Sequence, residues 1–451
     1  MAESKTSDKL GEFLVSGIYR FANFNAVFID PVRVLNRSYS KFKVSPSSYY
    51  PRFFHSNNHK TLMPTETTSL SSSSNPRKRK RKPKKNPRPL NERELAAEQR
   101  HQELRPLLVK AHEAFLEATD LLSVTHSLWS DDCCSGKCSD SAEVSFVELA
   151  KVWQSRLYEI SLNPDHQNQP IENSDSSVMD CNQPRVLPLF SNLVANDTKD
   201  EVEAEILNCI YVLPRKSSFY MVPNESFQFF WGKLVLCTFV IVAVDADCGF
   251  NLIVIDPPWE NRSAYQKGMY PTLPNRYLLS LPIKQLTHTK GALVALWVTN
   301  REKLRVFIEE ELFPAWGVRY MTSFYWLKVE ADGSLIGELD LFHHRPYECL
   351  LLGYSEGDIT NSSFLSNFIT LHNNQVIISV PGEYSRKPPV GGEIAIVDGW
   401  NDVQGSSILM NQLITYRSDH KPVKAHLCLR LDKHAFFYKT IEEFSKVHPT
   451  D

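Results

Sequence analysis

The chain has 451 residues and a formal net charge of −2, and 42% of its residues are hydrophobic. This length leaves room for two or three domains, and the composition suffices for a sizeable buried core. The sequence contains no G-x-G-x-x-G run and no P-loop, which excludes the usual fingerprints of nicotinamide, flavin and P-loop nucleotide sites.

Residues 1–90 are predicted to be largely disordered. Residues 1–54 contain scattered aromatic side chains with no clear period, and residues 55–75 are rich in serine, threonine and asparagine. A basic run follows at 77–88, with nine lysines and arginines and no acid. Such a run is typical of a nuclear address, of an arm that binds nucleic-acid phosphates, or of a solvated tail.

Residues 91–163 are predicted to form a helical region, followed by a polar linker at 164–185. Asn91 is a good N-cap, and Pro106 predicts a kink or a fresh helix start. Apolar residues recur at helical spacing and form one stripe, which we expect to pack on the next domain or in a helical hairpin with residues 146–160. The stripe comprises Leu104, Leu108, Ala111, Phe115, Ala118 and Leu122.

Two features of the chain bear on membranes, metals and compartment. Residues 234–244 are the most hydrophobic stretch, but a membrane-spanning helix takes ~20 residues, so we expect a buried strand and no membrane association. Of the nine cysteines only Cys133, Cys134 and Cys138 cluster, and nothing completes a zinc set at the usual spacing, so we expect no metal. The odd cysteine count and the lack of a secretory leader indicate a reducing compartment.

Residues 186–389 alternate strand and helix signals and are predicted to form an α/β domain. Apolar runs at 250–255 and 291–299 predict strands buried on both faces, and Asn300 is a candidate cap for the helix that follows, which should end at Pro314. Residues 318–329, 348–353 and 375–380 predict three more strands. Strands that alternate with a helical crossover favour a mostly parallel, Rossmann-like sheet.

The first buried strand ends abruptly in Asp256, Pro257, Pro258 and Trp259. Prolines end a strand because they lack an N–H for the ladder, so Asp256 is predicted at the edge where open α/β sheets bind ligands. A carboxylate and proline carbonyls can accept hydrogen bonds from an amino group, and an indole can stack on a flat ring. These groups together suit the exocyclic amine of a heterocycle.

The sequence Asp-Pro-Pro-Trp at 256–259 resembles the catalytic signature of amino-methyltransferases that act on adenine N6. Five further stretches resemble the eukaryotic adenine-N6 methyltransferase family, in particular the branch of methyltransferase-like protein four and its plant relatives. The resemblance covers roughly residues 214–389. The five stretches are WVTNREK at 297–303, ELFPAW at 311–316, YWLK at 325–328, RPYE at 345–348 and SRKPP at 385–389.

This resemblance implies a sheet of the permuted methyltransferase order, S-adenosylmethionine as cofactor, and adenine N6 of RNA (for example small nuclear RNA) or DNA as the methyl acceptor in the nucleus. It implies catalysis by Asp256, Pro257, Pro258 and Trp259, without a metal. The residues implied for substrate binding are Trp259, Glu260, Asn261, Lys267 and Tyr270. The residues implied for cofactor binding are Asp256, Arg345, Arg386 and Lys387.

Residues 390–451 depart from the family pattern. The family continues after its Ser-Arg-Lys-Pro-type motif with a helix, a strand of the Glu-Leu-Phe-Ala-Arg type and a Gly-Trp-x-x-Trp-Gly-Asn turn. Residues 390–451 contain no equivalent of that strand, and of the turn they contain only Gly399-Trp400. We therefore expect an unpaired sheet edge and an incomplete cofactor cleft. Three hypotheses stay open: an active adenine-N6 methyltransferase, a catalytically silent nucleic-acid-binding or scaffold isoform, and an enzyme for another amine such as cytosine N4.

Overall fold

The computed structural model describes residues 2–50, 89–127, 149, 153–163, 184–220, 252–260, 274–357, 374–389, 408–410, 427–431 and 444–446. Positions 23, 38, 40, 45, 197, 208, 214–216, 258, 290, 343 and 383–385 are excepted. The basic run at 77–88 and the hydrophobic stretch at 234–244 lie outside the described residues.

The first fifty residues are folded, so the prediction of a largely disordered 1–90 is wrong for this part. A helix at Ala2–Ser16 precedes β1 (Ile18–Arg20) and β2 (Ala26–Ile29). A helix at Pro31–Asn36, β3 (Phe42–Val44) and a helix at Pro46–Tyr49 complete the segment. Apart from the helix at Ala2–Ser16, these elements are three to six residues long, too brief to show a hydrophobic period, and every residue of β2 is buried.

The predicted helical region begins with one long helix, Glu92–Glu117, which continues through Pro106, and with a second helix at Thr119–Ser127. Asn91 is the N-cap, as predicted: its Oδ1 accepts from the Glu94 amide at 2.9 Å, and Glu94 accepts from the Asn91 amide at 2.8 Å. The apolar stripe packs on the main sheet, where Phe115 stacks on Phe28 with ring centroids 5.0 Å apart.

The end of the 91–163 region is not helical, and it joins a separate β-structure. A 3₁₀ turn at Trp153–Leu157 leads into β4 (Glu159–Leu162), which pairs with β5 (Arg185–Pro188) and β7 (Val202–Ile206). A four-stranded antiparallel sheet has the order β5-β4-β7-β8, with β8 at Cys209–Leu213. β6 (Leu193–Asn196) pairs with β9 (Ser217–Tyr220) in another small sheet.

The main sheet has eight strands in the order β1-β2-β14-β12-β13-β11-β10-β15. β1 and β13 run opposite to the other six, so the prediction of a mostly parallel, Rossmann-like α/β sheet is confirmed. The bounds of the later strands are β10 Leu252–Ile255, β11 Ala292–Val298, β12 Val318–Lys328, β13 Tyr347–Ser355, β14 Val376–Ser379, β15 Ile408–Met410, β16 Leu427–Leu431 and β17 Phe444–Lys446.

Both faces of the sheet are covered by apolar packing. On β10, Leu252 and Val254 belong to the core that includes Phe115, whereas Ile253 and Ile255 belong to the core on the opposite face. That second core is closed by a crossover between β11 and β12, built from Glu302–Phe307, a π-helical turn at Ile308–Leu312 and Phe313–Trp316. The crossover ends at Gly317 rather than at Pro314, because Gly317 adopts a left-handed φ of 68°.

The outer edge of β10 is paired. Ile408–Met410 runs parallel to it, with Leu252 opposite Ile408 and Val254 opposite Met410. The C-terminal region also supplies β16, which pairs with β9, and β17, which pairs with β3. The expectation of an unpaired edge is therefore wrong, because a backbone ladder needs complementary N–H and C=O groups but no particular side-chain motif.

Candidate active site

Four charged side chains meet at the carboxyl edge of the main sheet. Asp256 follows the last residue of β10, and Lys328 is the last residue of β12. Glu348 lies at the start of β13, which reaches the same edge because it is antiparallel to both neighbours. Lys387 lies in the segment that follows β14. The topology thus brings together residues that are up to 131 positions apart.

These side chains form an alternating cluster of positive and negative charges. The ammonium nitrogen of Lys387 lies 2.7 Å from Oε2 of Glu348 and 3.7 Å from Oδ2 of Asp256. Lys328 binds the other oxygen of Glu348 at 2.5 Å. All four side chains are at most 18% exposed. Two ammonium groups therefore offset two carboxylates in a region from which most water is excluded.

Aromatic rings form the wall behind the two lysines. The Lys387 ammonium lies 5.5 Å from the ring centroid of Trp297 and 5.8 Å from that of Trp326. The Lys328 ammonium lies 4.5 Å from the Trp326 centroid. Cation–π attraction at these distances helps to hold both ammonium groups where bulk water cannot solvate them fully.

The two carboxyl groups respond to this environment in opposite directions. Burial raises the pKa of Asp256 to about 6, and the nearby Lys387 opposes this shift only in part. Burial also acts to raise the pKa of Glu348, but the ammonium groups of Lys387 and Lys328 outweigh it and hold that pKa well below its ordinary value. Glu348 is thus the permanent anion of the cluster, and Asp256 is poised to titrate near neutral pH.

Oδ2 of Asp256 is buried and accepts no hydrogen bond from any residue that the structure describes. Its distance of 3.7 Å from the Lys387 nitrogen lies beyond hydrogen-bond range. A buried carboxylate oxygen without a donor is costly, so an oxygen in this state favours a ligand that carries an N–H group.

The residues after Asp256 form a tight turn. The Trp259 amide donates to the Pro257 carbonyl at 2.9 Å, and the Trp259 indole donates to the Trp297 carbonyl at 2.9 Å. Trp259 is only 8% exposed. Its role in stacking on a base stays a prediction, because in this arrangement most of the indole surface is buried against the second core.

Glu260 is held by its backbone rather than by its carboxylate. Its amide donates to Oδ1 of Asn275 at 3.0 Å, and its carbonyl accepts from Arg301 at 3.0 Å. Pro258, Asn261, Lys267 and Tyr270 lie outside the described residues, so their predicted catalytic and substrate roles stay predictions.

Arg345 is already engaged by the long helix. Its guanidinium forms an ion pair with Glu98 and donates to the Leu341 carbonyl at 2.8 Å, and its side chain is only 4% exposed. Arg386 places its guanidinium 5.0 Å from the ring centroid of Tyr49, in the N-terminal segment. Of the three predicted basic cofactor residues, Lys387 is the one whose ion pair with Asp256 the structure shows directly.

A small cleft beside the turn is rich in arginine. Arg100, Arg301, Arg305 and Arg345 line it together with Asn300, between the long helix and the end of β11. Asn300 donates to the Tyr347 carbonyl at 2.7 Å, so it ties two strands together instead of capping the next helix. Arg100 pairs with Glu302 at 2.8 Å, and Arg305 pairs with Glu309.

Sequence reasoning assigned no role to Lys328 and Glu348, although both stand in motifs that carried the resemblance. The available signal was their position: a lysine that ends one buried strand and a glutamate that begins the next must meet if the strands are antiparallel neighbours.

Among the described residues no group of three or more metal-ligating side chains occurs, and no described helix is long and apolar enough to cross a membrane.

Residues 250–395 match the model of the MT-A70 family. Over 307 residues the chain is 28% identical to N(6)-adenine-specific methyltransferase METTL4 of Mus musculus, an alignment that covers 66% of this chain and 60% of that protein. It is 35% identical over 150 residues to the N6-methyladenosine RNA methyltransferase MTA1 of Pyricularia oryzae, covering 31% and 38% of the two chains. It is 33% identical over 151 residues to a DNA N6-methyl methyltransferase of Caenorhabditis elegans, covering 32% and 37%.

Residues 250–395, which include Asp256, Lys328, Glu348 and Lys387, are thus similar to the MT-A70 family. The similarity to the METTL4 protein of Mus musculus extends over 307 residues, a longer stretch than residues 250–395. The chain spans about 60% of the length of the mouse relative.

Proposed function

We propose that this chain is an S-adenosylmethionine-dependent methyltransferase that acts on adenine N6 in nucleic acid. The observation that carries the proposal is the buried Oδ2 of Asp256, which has no hydrogen-bond donor among the described residues and lies beside the Lys387 ammonium. Asp256 also stands within the stretch that matches the MT-A70 family. It is an acceptor that lacks a partner at the edge where ligands of α/β sheets bind.

The charges of the cluster suit the methionine end of the cofactor, which carries an ammonium and a carboxylate. The Asp256 carboxylate would face the cofactor's ammonium, and Lys387 would face its carboxylate. S-adenosylmethionine supplies the electrophilic methyl group when it is bound. The role of Arg345 and Arg386 at this end is part of the proposal.

The difficult step for the protein is to activate a weak nucleophile, because the amine of adenine delocalises its lone pair into the ring. Asp256 and the Pro257 carbonyl would accept the two N–H bonds and favour a more tetrahedral nitrogen. The Pro257 oxygen accepts one hydrogen bond from Trp259 and keeps a second lone pair. With a pKa of about 6, Asp256 can also receive the proton that the amine loses and release it near neutral pH.

Nucleic acid is the proposed substrate, and its type stays open between RNA and DNA. The names of the Pyricularia oryzae and Caenorhabditis elegans relatives refer to RNA and to DNA, respectively.

We further propose that the basic run at 77–88 directs the protein to the nucleus or binds phosphates. Deleting it should spread the protein through the cell, or weaken oligonucleotide binding and flatten its salt dependence. If the deletion causes neither of these changes, the basic run has neither of the two proposed roles.

The decisive test is methylation of single-stranded RNA and DNA oligonucleotides by the purified full chain, with the product nucleosides identified by mass spectrometry. N6-methyladenosine or its deoxy form in one reaction supports the proposal and identifies the substrate type. If N4-methylcytosine is the only product, the methyl acceptor is the cytosine N4 amine and not adenine N6. The Asp256→Asn variant should yield no product.

A catalytically silent scaffold is the second candidate. It is favoured by the end of the MT-A70 match at residue 395 and by the strand that pairs with β10, which is only three residues long. Calorimetry with S-adenosylmethionine separates the two candidates: measurable binding supports the enzyme, and absence of binding with retained oligonucleotide affinity supports the scaffold.

A further inference from the structure

Strand β10 ends where its ladder with β11 loses a hydrogen-bond donor. Ile255 on β10 lies opposite Leu296 on β11, and this is the last pair of their parallel ladder. If β10 continued in the same register, residue 257 would lie opposite Val298. In a parallel ladder its amide would then donate to the carbonyl of the residue before Val298, which is Trp297. Pro257 has no N–H group, so the backbone cannot supply this bond.

The indole of Trp259 supplies the donor instead. Its Nε1 lies 2.9 Å from the carbonyl oxygen of Trp297, in a buried position. A buried carbonyl without a donor is costly, so this bond stabilises the end of the strand. Phenylalanine has no donor in its ring, and the tyrosine hydroxyl lies at the far end of its ring. The register of the sheet therefore gives a physical reason for a tryptophan shortly after the proline that removes the amide.

A second hydrogen bond from Trp259 shapes the turn that follows the strand. The main-chain N–H of Trp259 donates to the Pro257 carbonyl at 2.9 Å. Trp259 thus joins Pro257 to Trp297 and fixes the direction in which the Pro257 carbonyl points. That carbonyl is one of the two acceptors that the proposed function assigns to the adenine amine, and Asp256 is the other.

Trp297 also connects this turn to the cluster of charges. Its carbonyl accepts from the Trp259 indole, and the centroid of its own ring lies 5.5 Å from the Lys387 ammonium. That ammonium lies 3.7 Å from Oδ2 of Asp256. Trp297 is only 2% exposed and is part of β11. The Pro257 acceptor and the cation beside the Asp256 acceptor therefore both contact one fixed residue of the sheet.

The ring of Trp259 has little surface left for a substrate. The residue is 8% exposed and belongs to the second core, together with Ile255, Leu278 and Val298. A ring that stacks on a base must leave one face open to that base. In this position the indole offers its N–H to the sheet rather than a face to a ligand.

We propose that Trp259 is a positioning residue: its indole N–H replaces the amide that Pro257 lacks and thereby aims the Pro257 carbonyl at the adenine amine. The aim at the amine rests on the proposed function, whereas the replacement of the missing donor does not. The family resemblance implies a different role for Trp259, stacking on the base. The two roles need different parts of the side chain, since stacking needs an aromatic face and positioning needs the N–H.

Benzothienylalanine at position 259 separates these two roles, because it keeps the size and the faces of tryptophan but carries sulfur in place of the N–H. Methyl transfer by the full chain to an adenine-containing oligonucleotide should show kcat lowered roughly tenfold or more, with KM nearly unchanged. A misplaced acceptor weakens the transition state rather than substrate binding. The assay temperature is one at which circular dichroism shows the variant to be folded. An unchanged kcat, or a rise in KM larger than the fall in kcat, would overturn the proposal.

Trp316 provides the matched control. It is 1% exposed, belongs to the same second core, and donates through its indole to the Leu278 carbonyl at 2.8 Å. The same analogue at position 316 should lower the melting temperature to a similar extent but leave kcat unchanged. An equal loss of kcat at both positions would assign Trp259 a general packing role and would overturn the proposal.

A double-mutant cycle tests the replaced donor without any enzyme activity. Pro257→Ala restores an amide at position 257 that can donate to the Trp297 carbonyl. Trp259→Phe should therefore lower the denaturant midpoint less in the Pro257→Ala background than in the parent, whereas Trp316→Phe should lower it equally in both. Equal effects of Trp259→Phe in the two backgrounds would overturn the proposal. If the parent transfers no methyl group, the proposed function fails, and the cycle still decides the role of the indole N–H.

Discussion

The ammonium nitrogen of Lys387 stands 3.7 Å from the buried Oδ2 of Asp256, too far for a hydrogen bond but close enough for attraction between charges. The same nitrogen lies 2.7 Å from Glu348, so the lysine is held mainly by the glutamate. Asp256 therefore remains only partly neutralised, and burial leaves its pKa raised to about 6. This incomplete pairing keeps an acceptor available and makes the site sensitive to pH.

Methyl transfer should rise with pH as Asp256 loses its proton, with an apparent pKa near 6 in kcat/KM. Below this pH the carboxyl group is protonated and loses acceptor capacity; above it, the carboxylate can accept an N–H bond. A profile measured from about pH 5 to about pH 8 checks this expectation. In Lys387→Gln the lost positive charge should move the rising limb to higher pH.

Asp256→Asn should abolish methyl transfer and stabilise the fold at high pH. The native state prefers the protonated acid, since burial raises the pKa from 3.8 to about 6. The stability associated with Asp256 is thus complete below pH 3.8 and is lost as pH rises through 6. The asparagine variant should gain up to about 3 kcal/mol at pH 8, and the gain should vanish near pH 4.

Denaturant unfolding at both pH values measures this difference. Asp340→Asn is the matched control: the Arg105 guanidinium holds the pKa of Asp340 down to about 2, so removing that carboxylate should bring no gain at high pH. Equal stability of the Asp256→Asn and parent proteins at pH 8 would contradict the buried, partly neutralised carboxylate.

Glu348→Gln should destabilise the protein by about 3–5 kcal/mol, because two buried ammonium groups lose their shared anion. Adding Lys328→Met should recover part of the loss. Glu348→Gln should also lower the pKa of Asp256, since the Glu348 carboxylate raises it. The rising limb of the pH profile would then move opposite to its shift in Lys387→Gln; a shift in the same direction for both would argue against the cluster.

Arg345→Met should lower thermal stability more than it lowers cofactor affinity. The arginine is buried and pairs with Glu98, so its removal leaves that glutamate unpaired and loosens the contact with the helix at Glu92–Glu117. Lys387→Met, at the residue that pairs with Asp256, should show the reverse order of effects. Thermal unfolding and calorimetry with S-adenosylmethionine on both variants give the comparison.

Deleting residues 391–451 should lower stability and abolish cofactor binding, because the outer edge of β10 loses the ladder with β15. Deleting only residues 447–451 keeps β15, β16 and β17 and is the control. Unchanged melting and cofactor affinity in the long deletion would show that β15 does not contribute to the site.

Local sequence patterns were sufficient to predict those features of the chain that depend only on residues close together in sequence. The apolar run that becomes β10, buried on both faces and ended by prolines, predicted both the strand and the place of Asp256 at its end. Asn91 and Glu94 likewise predicted a helix start, since a capping box needs only residues three positions apart. The Asp-Pro-Pro-Trp motif with its five companion stretches was specific enough to indicate the family.

Only the tertiary structure decided which distant residues meet. β13 runs antiparallel to its neighbours, which brings Glu348 between Lys328 and Lys387, and the sequence alone does not show which strands are neighbours. The N-terminal segment was predicted to be disordered because, apart from the helix at Ala2–Ser16, its elements are three to six residues long and show no period. Its strands nevertheless extend the main sheet and place Asp30 at the edge of that sheet. Strand pairing depends on backbone hydrogen bonds and shared burial, and these arise between segments far apart in sequence.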